Sequence, residues 1–269
     1  MTENEIMLTS VLDCRRVDLA VNTRVLTPDQ QARYDQMQAR RNHGEPLQYI
    51  VGQWDFYGMT LFVDRRALIP RPETEILVDL AIHTVKSDPR KETLKALDLG
   101  IGSGNMTAAL LKNLPHMTMT ALDISDEALD LARQNAKHHG VESRVNFLCD
   151  DMARYLKEAV VKGEKFDMVV SNPPYIPTQQ LGKLPIDVQQ EPRIALDGGD
   201  DGLRFCRAII EYAWQILQEK GFLAMEIGDG QRDDIAGIFA QYPQYREIRF
   251  FKDYVGTDRV VMARKRVGA

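Results

Sequence analysis

The strongest indication of the fold comes from the residues Asp98-Leu99-Gly100-Ile101-Gly102-Ser103-Gly104-Asn105. It ends an apolar, strand-like segment at residues 95–99 and precedes a segment with helical spacing at residues 106–114, so it predicts a strand that turns sharply into a helix. Glycines at alternate positions allow a tight turn and a close approach of the backbone to a ligand. We therefore expect a ligand-binding turn at the carboxyl end of a parallel strand.

The alternation of strand and helix extends on both sides of this stretch. Strands are predicted at residues 95–99, 117–122, 145–149, 166–171 and 221–227, and helices at residues 73–86, 106–114, 126–139, 152–161 and 203–218. This pattern is typical of a mostly parallel sheet with helices on both faces. A last helix at 232–240 precedes two strands, 248–252 and 259–265, which are predicted to pair antiparallel across a short polar turn. The predicted fold class is α/β, with a seven-stranded, mostly parallel sheet.

No such alternation precedes the Pro70-Arg71-Pro72 cluster, which therefore divides the chain. Residues 5–19 and 28–42 carry apolar side chains at helical spacing and predict two helices. Thr27 is a suitable N-cap for the second helix, because a proline follows it at the first helical position.

A hairpin is expected between these helices and the proline cluster. Residues 49–63 are rich in aromatic and β-branched side chains, and Tyr57-Gly58 lies between the two halves of this segment as a turn. We therefore predict a small helical domain with a β-hairpin linker at 1–72 and a larger α/β domain at 73–269.

The spacing of the glycines excludes two common phosphate sites. A dinucleotide fingerprint that starts at Gly100 needs a third glycine at position 105, and one that starts at Gly102 needs it at position 107. The chain has Asn105 and Thr107 there, and it has no Gly-Lys-Ser/Thr sequence that would form a phosphate loop. By itself the glycine string is also compatible with a structural turn.

Carboxylates follow the next two strands. Asp123 closes the second strand, nineteen positions after Gly104, where a carboxylate can accept both hydroxyls of a ribose. Asp150 and Asp151 follow the third strand, where one side chain can meet the exocyclic amine of an adenine and the other can line the pocket. The alternatives are helix capping by Asp123, for which Ser125 is better suited, and solvated turn residues for the pair. Together with the glycines, these carboxylates indicate an adenosine-type ligand.

The loop Asn172-Pro173-Pro174-Tyr175, which we call the acceptor loop, follows the fourth strand at the same sheet edge. Its two prolines restrict the backbone and fix the directions of the carbonyls. A planar amide or aromatic amine nitrogen is a poor nucleophile, so an enzyme that transfers a group to it must bind both N–H groups. The Asn172 side-chain oxygen and the Pro173 carbonyl can each accept one hydrogen bond, while the Tyr175 ring packs against the flat group. The acceptor loop is the predicted transfer site, although a Pro-Pro pair alone is also compatible with a rigid turn.

Composition narrows the class of protein. The chain has 269 residues, of which 44% are hydrophobic, so it can bury a large core. Its formal net charge is -5, so it has no overall positive charge that would attract a nucleic acid. No apolar run approaches the roughly eighteen residues of a membrane span, and the first residues lack the basic region of a secretory signal. We expect a cytoplasmic protein with no membrane partner and no direct nucleic-acid partner.

The side chains that commonly bind metals lack the spacing for it. The cysteines are odd in number and far apart, so neither a disulfide framework nor a zinc site is expected, and we predict that they are buried and reduced. The histidines are interpreted as surface or helix residues. The residues concerned are Cys14, Cys149, Cys206, His43, His116, His138 and His139.

Short strings along nearly the whole chain carry a family resemblance. They are Gly44-Glu45-Pro46-Leu47-Gln48-Tyr49-Ile50, Phe56-Tyr57-Gly58, Leu68-Ile69-Pro70-Arg71-Pro72-Glu73-Thr74-Glu75, the glycine string, Asn172-Pro173-Pro174-Tyr175-Ile176, Glu191-Pro192 and Asp253-Tyr254. The string from Pro70 to Glu75 is far more specific than any glycine loop. With these strings the chain resembles the bacterial HemK/PrmC family of peptide chain release factor glutamine methyltransferases, which have the class I (Rossmann-like) methyltransferase fold.

This resemblance implies the cofactor, the partner and the site. The methyl donor would be S-adenosyl-L-methionine, and the acceptor would be the side-chain amide of the glutamine in the Gly-Gly-Gln motif of release factors. Residues 1–72 would dock the substrate, residues 71–74 would lie over the cofactor pocket, and catalysis would belong to the acceptor loop. The residues assigned to the cofactor are Gly100, Ile101, Gly102, Ser103, Gly104, Asp123, Asp150, Asp151 and Asn172.

Three other functions remain open at this point. A nucleic-acid adenine N6-methyltransferase also uses such a loop for a flipped base, but Ile176 replaces the second aromatic residue that tends to follow the tyrosine there. A ribosomal-protein glutamine methyltransferase shares the chemistry and differs in its docking domain. A nucleoside-binding scaffold without catalysis is disfavoured by the intact asparagine and prolines of the acceptor loop.

Overall fold

The N-terminal part of the chain is helical. The computed structural model describes residues 1–21, 25–87 and 93–268. The helices of this part are α1 (Glu3–Leu12), α2 (Arg16–Val21), α3 (Pro28–Asn42) and α4 (Leu47–Val51). The start of α3 is as predicted: the Thr27 hydroxyl accepts a hydrogen bond from the Gln30 N–H at 3.3 Å, and the Gln30 side chain accepts one from the Thr27 N–H at 3.0 Å. This reciprocal capping box satisfies two N–H groups at the helix end.

The prediction of one helix at residues 5–19 was wrong. Helix α1 ends at Leu12, and Asp13 has a left-handed conformation with φ 47°. The N–H groups of Asp13 and Cys14 both donate to the Thr9 carbonyl. A short polar side chain tolerates this conformation, which closes a helix. The chain therefore turns here, and α2 follows as a separate helix.

The predicted hairpin is confirmed, but a short helix precedes it. Strands β1 (Gln53–Phe56) and β2 (Met59–Phe62) pair antiparallel around Tyr57 and Gly58, whose φ angles of 50° and 69° suit a tight two-residue turn. Helix α4 occupies the first residues of the segment at 49–63 that was predicted as a hairpin, because it buries three side chains and Gly52 ends it with φ 79°. Burial of one helix face here outweighs the strand preference of aromatic and β-branched residues.

The second part of the chain forms the predicted α/β fold. Its elements are α5 (Pro72–Lys86), β3 (Leu94–Leu99), α6 (Asn105–Asn113), β4 (Met117–Asp123), α7 (Asp126–His138), β5 (Val145–Cys149), α8 (Met152–Lys162), β6 (Phe166–Ser171), α9 (Arg204–Ile216), β7 (Leu217–Glu226), α10 (Arg232–Phe239), β8 (Tyr245–Lys252) and β9 (Asp258–Lys265). The sheet order is β5-β4-β3-β6-β7-β9-β8. Strands β3 to β7 are parallel, and β9 is antiparallel to both of its neighbours, β7 and β8. The strand sequence reverses between β3 and β6, which is where such sheets bind ligands.

Two apolar cores cover the two faces of this sheet. On one face, α5, α6 and α7 pack with the hairpin against the strands, and Leu77, Leu110 and Leu129 are fully buried there. On the other face, α8, α9 and α10 form a second core that includes Leu156 and Ile210. Both faces are thus covered, as the near-continuous apolar sequence of the parallel strands requires.

Two smaller predictions were wrong. Helix α9 was expected to reach Gln218, but it ends at Ile216, because Leu217 is fully buried and pairs with Phe166 of β6. Burial was expected for all three cysteines and is found only for Cys206; Cys14 is half-buried. Cys149 is exposed because it closes β5, the edge strand of the sheet.

None of the helices in the described ranges is long and apolar enough to cross a membrane. The longest of them, α3 and α5, have 15 residues each. A span needs about 20 predominantly apolar residues.

Asn135 of α7 joins the hairpin to the α/β domain. Its side chain is fully buried, and its oxygen accepts a hydrogen bond from the Phe62 N–H at 2.8 Å. Its nitrogen donates to the Phe62 carbonyl at 3.0 Å and to the Ser103 carbonyl at 2.8 Å. One amide therefore holds β2 and the glycine string against the same helix.

Asn135→Ala should destabilise the protein strongly, because it leaves the half-buried N–H and carbonyl of Phe62 and the buried Ser103 carbonyl without their partner. We expect a loss of about 2 to 4 kcal/mol in the free energy of unfolding. Urea unfolding measures it, with Gln134→Ala on the exposed side of α7 as the control. Equal losses for the two variants would contradict the bridging role.

Candidate active site

The glycine string forms a loop, residues 100–104, that we call the glycine loop. Its three glycines have φ angles of 76° (Gly100), 54° (Gly102) and 80° (Gly104), which residues with a side chain rarely adopt. Space is limiting at Gly104 as well, since a Cβ there would lie 3.1 Å from the Cβ of Ala132 in α7. The loop therefore packs closely against α7, and α6 begins directly after it.

Asp123 fixes the glycine loop from the neighbouring strand. Its carboxylate accepts hydrogen bonds from the Gly102 N–H and the Ser125 N–H, each at 3.0 Å. Burial raises the pKa of this carboxyl, and the backbone N–H donors oppose that effect. Ser125, rather than Asp123, caps α7, because its hydroxyl accepts from the Ala128 N–H at 3.2 Å. Asp123 is thus a preorganised acceptor at the end of β4.

Asp150 and Asp151 have structural partners in α8. Asp151 is the N-cap of this helix and accepts from the Arg154 N–H at 2.9 Å. The Asp150 carboxylate binds the Arg154 guanidinium at 2.6 Å. Both residues also line the cavity described next, so their ligand roles remain predictions beside these structural ones.

A cavity of about 200 Å³ opens at the carboxyl ends of β3, β4, β5 and β6. Residues 66–71, which we call the strap, line it, together with Pro192, Ile194, Ala195, Arg204 and Phe205. The predicted site residues that line it are Gly100, Ile101, Gly102, Ser103, Asp123, Asp150, Asp151, Asn172 and Pro174. Gly104, Pro173 and Tyr175 were also predicted but do not line it: Gly104 faces α7, Pro173 is buried, and Tyr175 contacts Glu226.

Glu191 anchors the strap. Its carboxylate is 4% exposed, accepts a hydrogen bond from the Ile69 N–H at 2.9 Å and pairs with the Arg71 guanidinium. Burial raises the pKa of Glu191, while Arg71 and the Ile69 N–H lower it. The long connection after the acceptor loop therefore holds the strap in place beside the cavity.

The acceptor loop is held at both ends. Before it, the Ser171 hydroxyl donates to the Leu99 carbonyl at 2.7 Å, which aligns the ends of β6 and β3. After it, the Tyr175 carbonyl accepts from the Gln231 side chain at 3.0 Å. The Asn172 side-chain nitrogen donates to the Thr74 hydroxyl at 3.1 Å, so its side-chain oxygen is left to face a ligand.

Glu226 lies behind this loop and was missed by reasoning from the sequence. Its carboxylate, 1% exposed, accepts from the Thr74 hydroxyl at 2.6 Å and from the Tyr175 hydroxyl at 3.3 Å. Burial raises the pKa of Glu226 to about 7. The signal that would have found it is a lone carboxylate in the otherwise apolar segment from Phe222 to Ile227.

Asp98 is a further buried carboxylate at this edge. It is fully buried, and one oxygen accepts from the Thr107 hydroxyl at 2.6 Å, whereas the other has no hydrogen-bond partner among the described residues. Burial raises the pKa of Asp98 to about 7, with a smaller contribution from the charge of Asp123. Its ionised form therefore destabilises the fold.

Comparison with known proteins assigns the class. A methyltransferase from Pyrococcus furiosus has the same fold, with a TM-score of 0.53 and 19% identity over 89% of this chain and 98% of that one. The family model of the methyltransferase domain matches residues 90–233, which contain the glycine loop and the acceptor loop. The fold and the site thus define an S-adenosylmethionine-dependent methyltransferase.

Its relatives define the family. The release factor glutamine methyltransferase of Koribacter versatilis is 39% identical over 97% of this chain and 90% of that protein, and the one of Bacillus anthracis is 36% identical over 96% and 90%. The chain belongs to the release factor glutamine methyltransferase family. Its residues 2–52 also match the family model of the PrmC N-terminal domain.

Asp98→Asn should remove a pH dependence of stability. The folded-state pKa of Asp98 lies above the unfolded value, so the stability that this carboxyl provides in its protonated form is lost as pH rises through about 7. We expect the unfolding free energy of the wild type, relative to the variant, to fall between about pH 4 and pH 7 by on the order of 1 to 4 kcal/mol. Urea unfolding at several pH values without cofactor tests this, and a constant difference would contradict it.

Proposed function

We propose that this chain transfers a methyl group from S-adenosylmethionine to the side-chain amide nitrogen of the glutamine in the Gly-Gly-Gln motif of peptide chain release factors. One observation carries the proposal: the Asn172 side-chain nitrogen is bound by Thr74, so an acceptor oxygen remains beside the cavity. The family to which the chain belongs supports the same reaction. Because release factors act in the cytoplasm, the reaction is expected there.

The residues at the cavity suit an adenosine-type methyl donor. The three glycines of the glycine loop offer backbone without side chains, and Asp123 offers a half-buried carboxylate to the ribose hydroxyls. When bound, the donor supplies an electrophilic methyl group on a cationic sulfur. The residues that we propose to hold it are Gly100, Ile101, Gly102, Ser103, Asp123, Asp150, Asp151 and Asn172. Gly104 would contribute through the shape of the loop, since it packs against α7.

The acceptor loop would orient the glutamine amide. The Asn172 oxygen and the Pro173 carbonyl would each accept one N–H, which directs the nitrogen lone pair at the methyl group. The Tyr175 ring would pack against the flat amide, and its hydroxyl and carbonyl are both anchored. We place no side-chain base in the mechanism, so catalysis would come from positioning and electrostatic preorganisation, and the amide proton would pass to solvent.

Substrate docking is proposed for residues 1–72, with the methyltransferase domain at 73–269. The helices of the first part have a small core of their own, which includes Met7, Val11 and Met37. The hairpin acts as the linker, because Asn135 binds it to α7. A separate core on a firmly attached linker suits a docking domain that must keep its position relative to the acceptor loop.

The alternative functions are less well supported. The backbone of Ile176, the residue after the acceptor loop, is paired with residues 196–198, and no second aromatic side chain stands there for a flipped base. A ribosomal-protein glutamine methyltransferase would share the acceptor chemistry, but the relatives described above are named for release factors. A glutamine on a release factor is therefore the preferred acceptor.

Labelled methyl transfer tests the acceptor assignment. Purified release factor should become labelled from S-adenosylmethionine, whereas a release factor with alanine in place of the Gly-Gly-Gln glutamine should not, because the reactive amide is missing. The label is counted in the isolated release factor. Equal labelling of the two proteins would contradict the proposal.

Asn172→Ala should reduce methyl transfer while sparing the donor site. We expect kcat to fall about 100-fold or more, because a preorganised acceptor is lost. The Kd of S-adenosylmethionine should rise less than about tenfold, since one hydrogen bond at most is removed. Asn146→Ala on the exposed face of β5 is the matched control and should keep full activity. Retention of activity by Asn172→Ala would refute the role of this residue.

A further inference from the structure

A chain of buried hydrogen bonds leads away from the acceptor loop. The Asn172 side-chain nitrogen donates to the Thr74 hydroxyl at 3.1 Å, and this hydroxyl donates to the Glu226 carboxylate at 2.6 Å. The second carboxylate oxygen accepts from the Tyr175 hydroxyl at 3.3 Å. Thr74 and Glu226 are each 1% exposed. Glu226 does not line the cavity, so it acts on the site only through these neighbours.

The direction of each hydrogen bond follows from the carboxylate. An ionised carboxylate can only accept, so the single proton of the Thr74 hydroxyl must point at Glu226. The lone pairs of Thr74 then face Asn172, and only the amide nitrogen of Asn172 can donate to them. The amide oxygen of Asn172 is thereby turned toward the cavity.

We propose that Glu226 is a positioning residue which, through Thr74, fixes the orientation of the Asn172 amide and so makes the site select a glutamine over a glutamate. This inference rests on the proposed function and deepens it. With the Asn172 oxygen facing the acceptor, an N–H donor of the glutamine amide is bound and a carboxylate is repelled. If the Asn172 amide were reversed, its NH₂ group would repel the glutamine N–H and attract a carboxylate.

The groups around Glu226 shift its pKa in both directions. Burial raises its pKa to about 7, and the charge of Glu73 in α5 adds to this effect. Hydrogen bonds from Thr74 and Tyr175, and the positive charge of Arg259 in β9, lower it. The carboxylate form therefore becomes dominant above neutral pH, and the preference for glutamine over glutamate should be stronger there.

The affinities of the enzyme for two forms of the acceptor test this inference. Release factor and its variant with glutamate in place of the Gly-Gly-Gln glutamine are titrated onto the full-length enzyme with S-adenosylhomocysteine bound, so that no transfer occurs. The wild type should bind the glutamine form more tightly. Thr74→Val, which keeps the shape and removes the hydroxyl, should reduce the ratio of the two Kd values about tenfold or more. Thr74→Ser, which keeps the hydroxyl, should restore it.

Glu226→Gln provides a second variant of the same connection. A glutamine at this position can donate to Thr74 and release the Thr74 proton toward Asn172, so the ratio should fall here too. The ratio of the wild type should also be lower at about pH 6 than at about pH 8, whereas that of Glu226→Gln should not change as much. A residue with only a structural role would not alter the ratio or its pH dependence.

Thr107→Val is the matched control. Thr107 donates to the buried Asp98 carboxylate at 2.6 Å, so this variant loses the same kind of bond without a connection to Asn172. Its ratio should equal that of the wild type. An unchanged ratio in Thr74→Val and Glu226→Gln, with wild-type transfer intact, would overturn the role of Glu226 alone. Absence of methyl transfer to release factor by the wild type would instead overturn the proposed function, and this inference with it.

Discussion

The site depends on the point where the sheet reverses its strand order, between β3 and β6. Loops that leave these two strands run to opposite sides, so a crevice must open at their carboxyl ends. The glycine loop leaves β3 on one side of this crevice and the acceptor loop leaves β6 on the other. A hydrogen bond from Ser171 to the Leu99 carbonyl aligns the two strand ends. The donor and acceptor sites are therefore neighbours because of the topology.

Three buried or half-buried carboxylates hold the loops around this crevice. Asp123 binds the glycine loop, Glu191 binds the strap, and Glu226 binds Thr74 and Tyr175. Burial of a carboxylate is costly, and each of these three is compensated by backbone N–H groups, hydroxyls or a guanidinium. Such contacts fix groups that must not move during transfer, which is the form of catalysis that a poor amide nucleophile requires.

Most of the fold could be predicted from the sequence, and the errors have local causes. Strands β5 and β6 and helix α3 were predicted with their observed bounds, because apolar spacing and the Thr27 cap are local signals. The division of the first helix depends on the left-handed conformation of Asp13, which an aspartate permits but does not require. The exposure of Cys149 depends on which strand lies at the sheet edge, and the order of strands is not a local property.

Most helices and strands, the glycine loop, the carboxylate after β4 and the acceptor loop can be recognised from the sequence alone, because each is a short string whose backbone chemistry acts locally. The residues of the site's supporting network come from distant parts of the chain: Thr74 lies 98 positions from Asn172 and 152 from Glu226. Only the tertiary structure decided that these side chains meet. Spacing along the chain carries no information about contacts across a sheet edge, whereas packing of α5 over β7 and β9 brings the hydroxyl between the amide and the carboxylate.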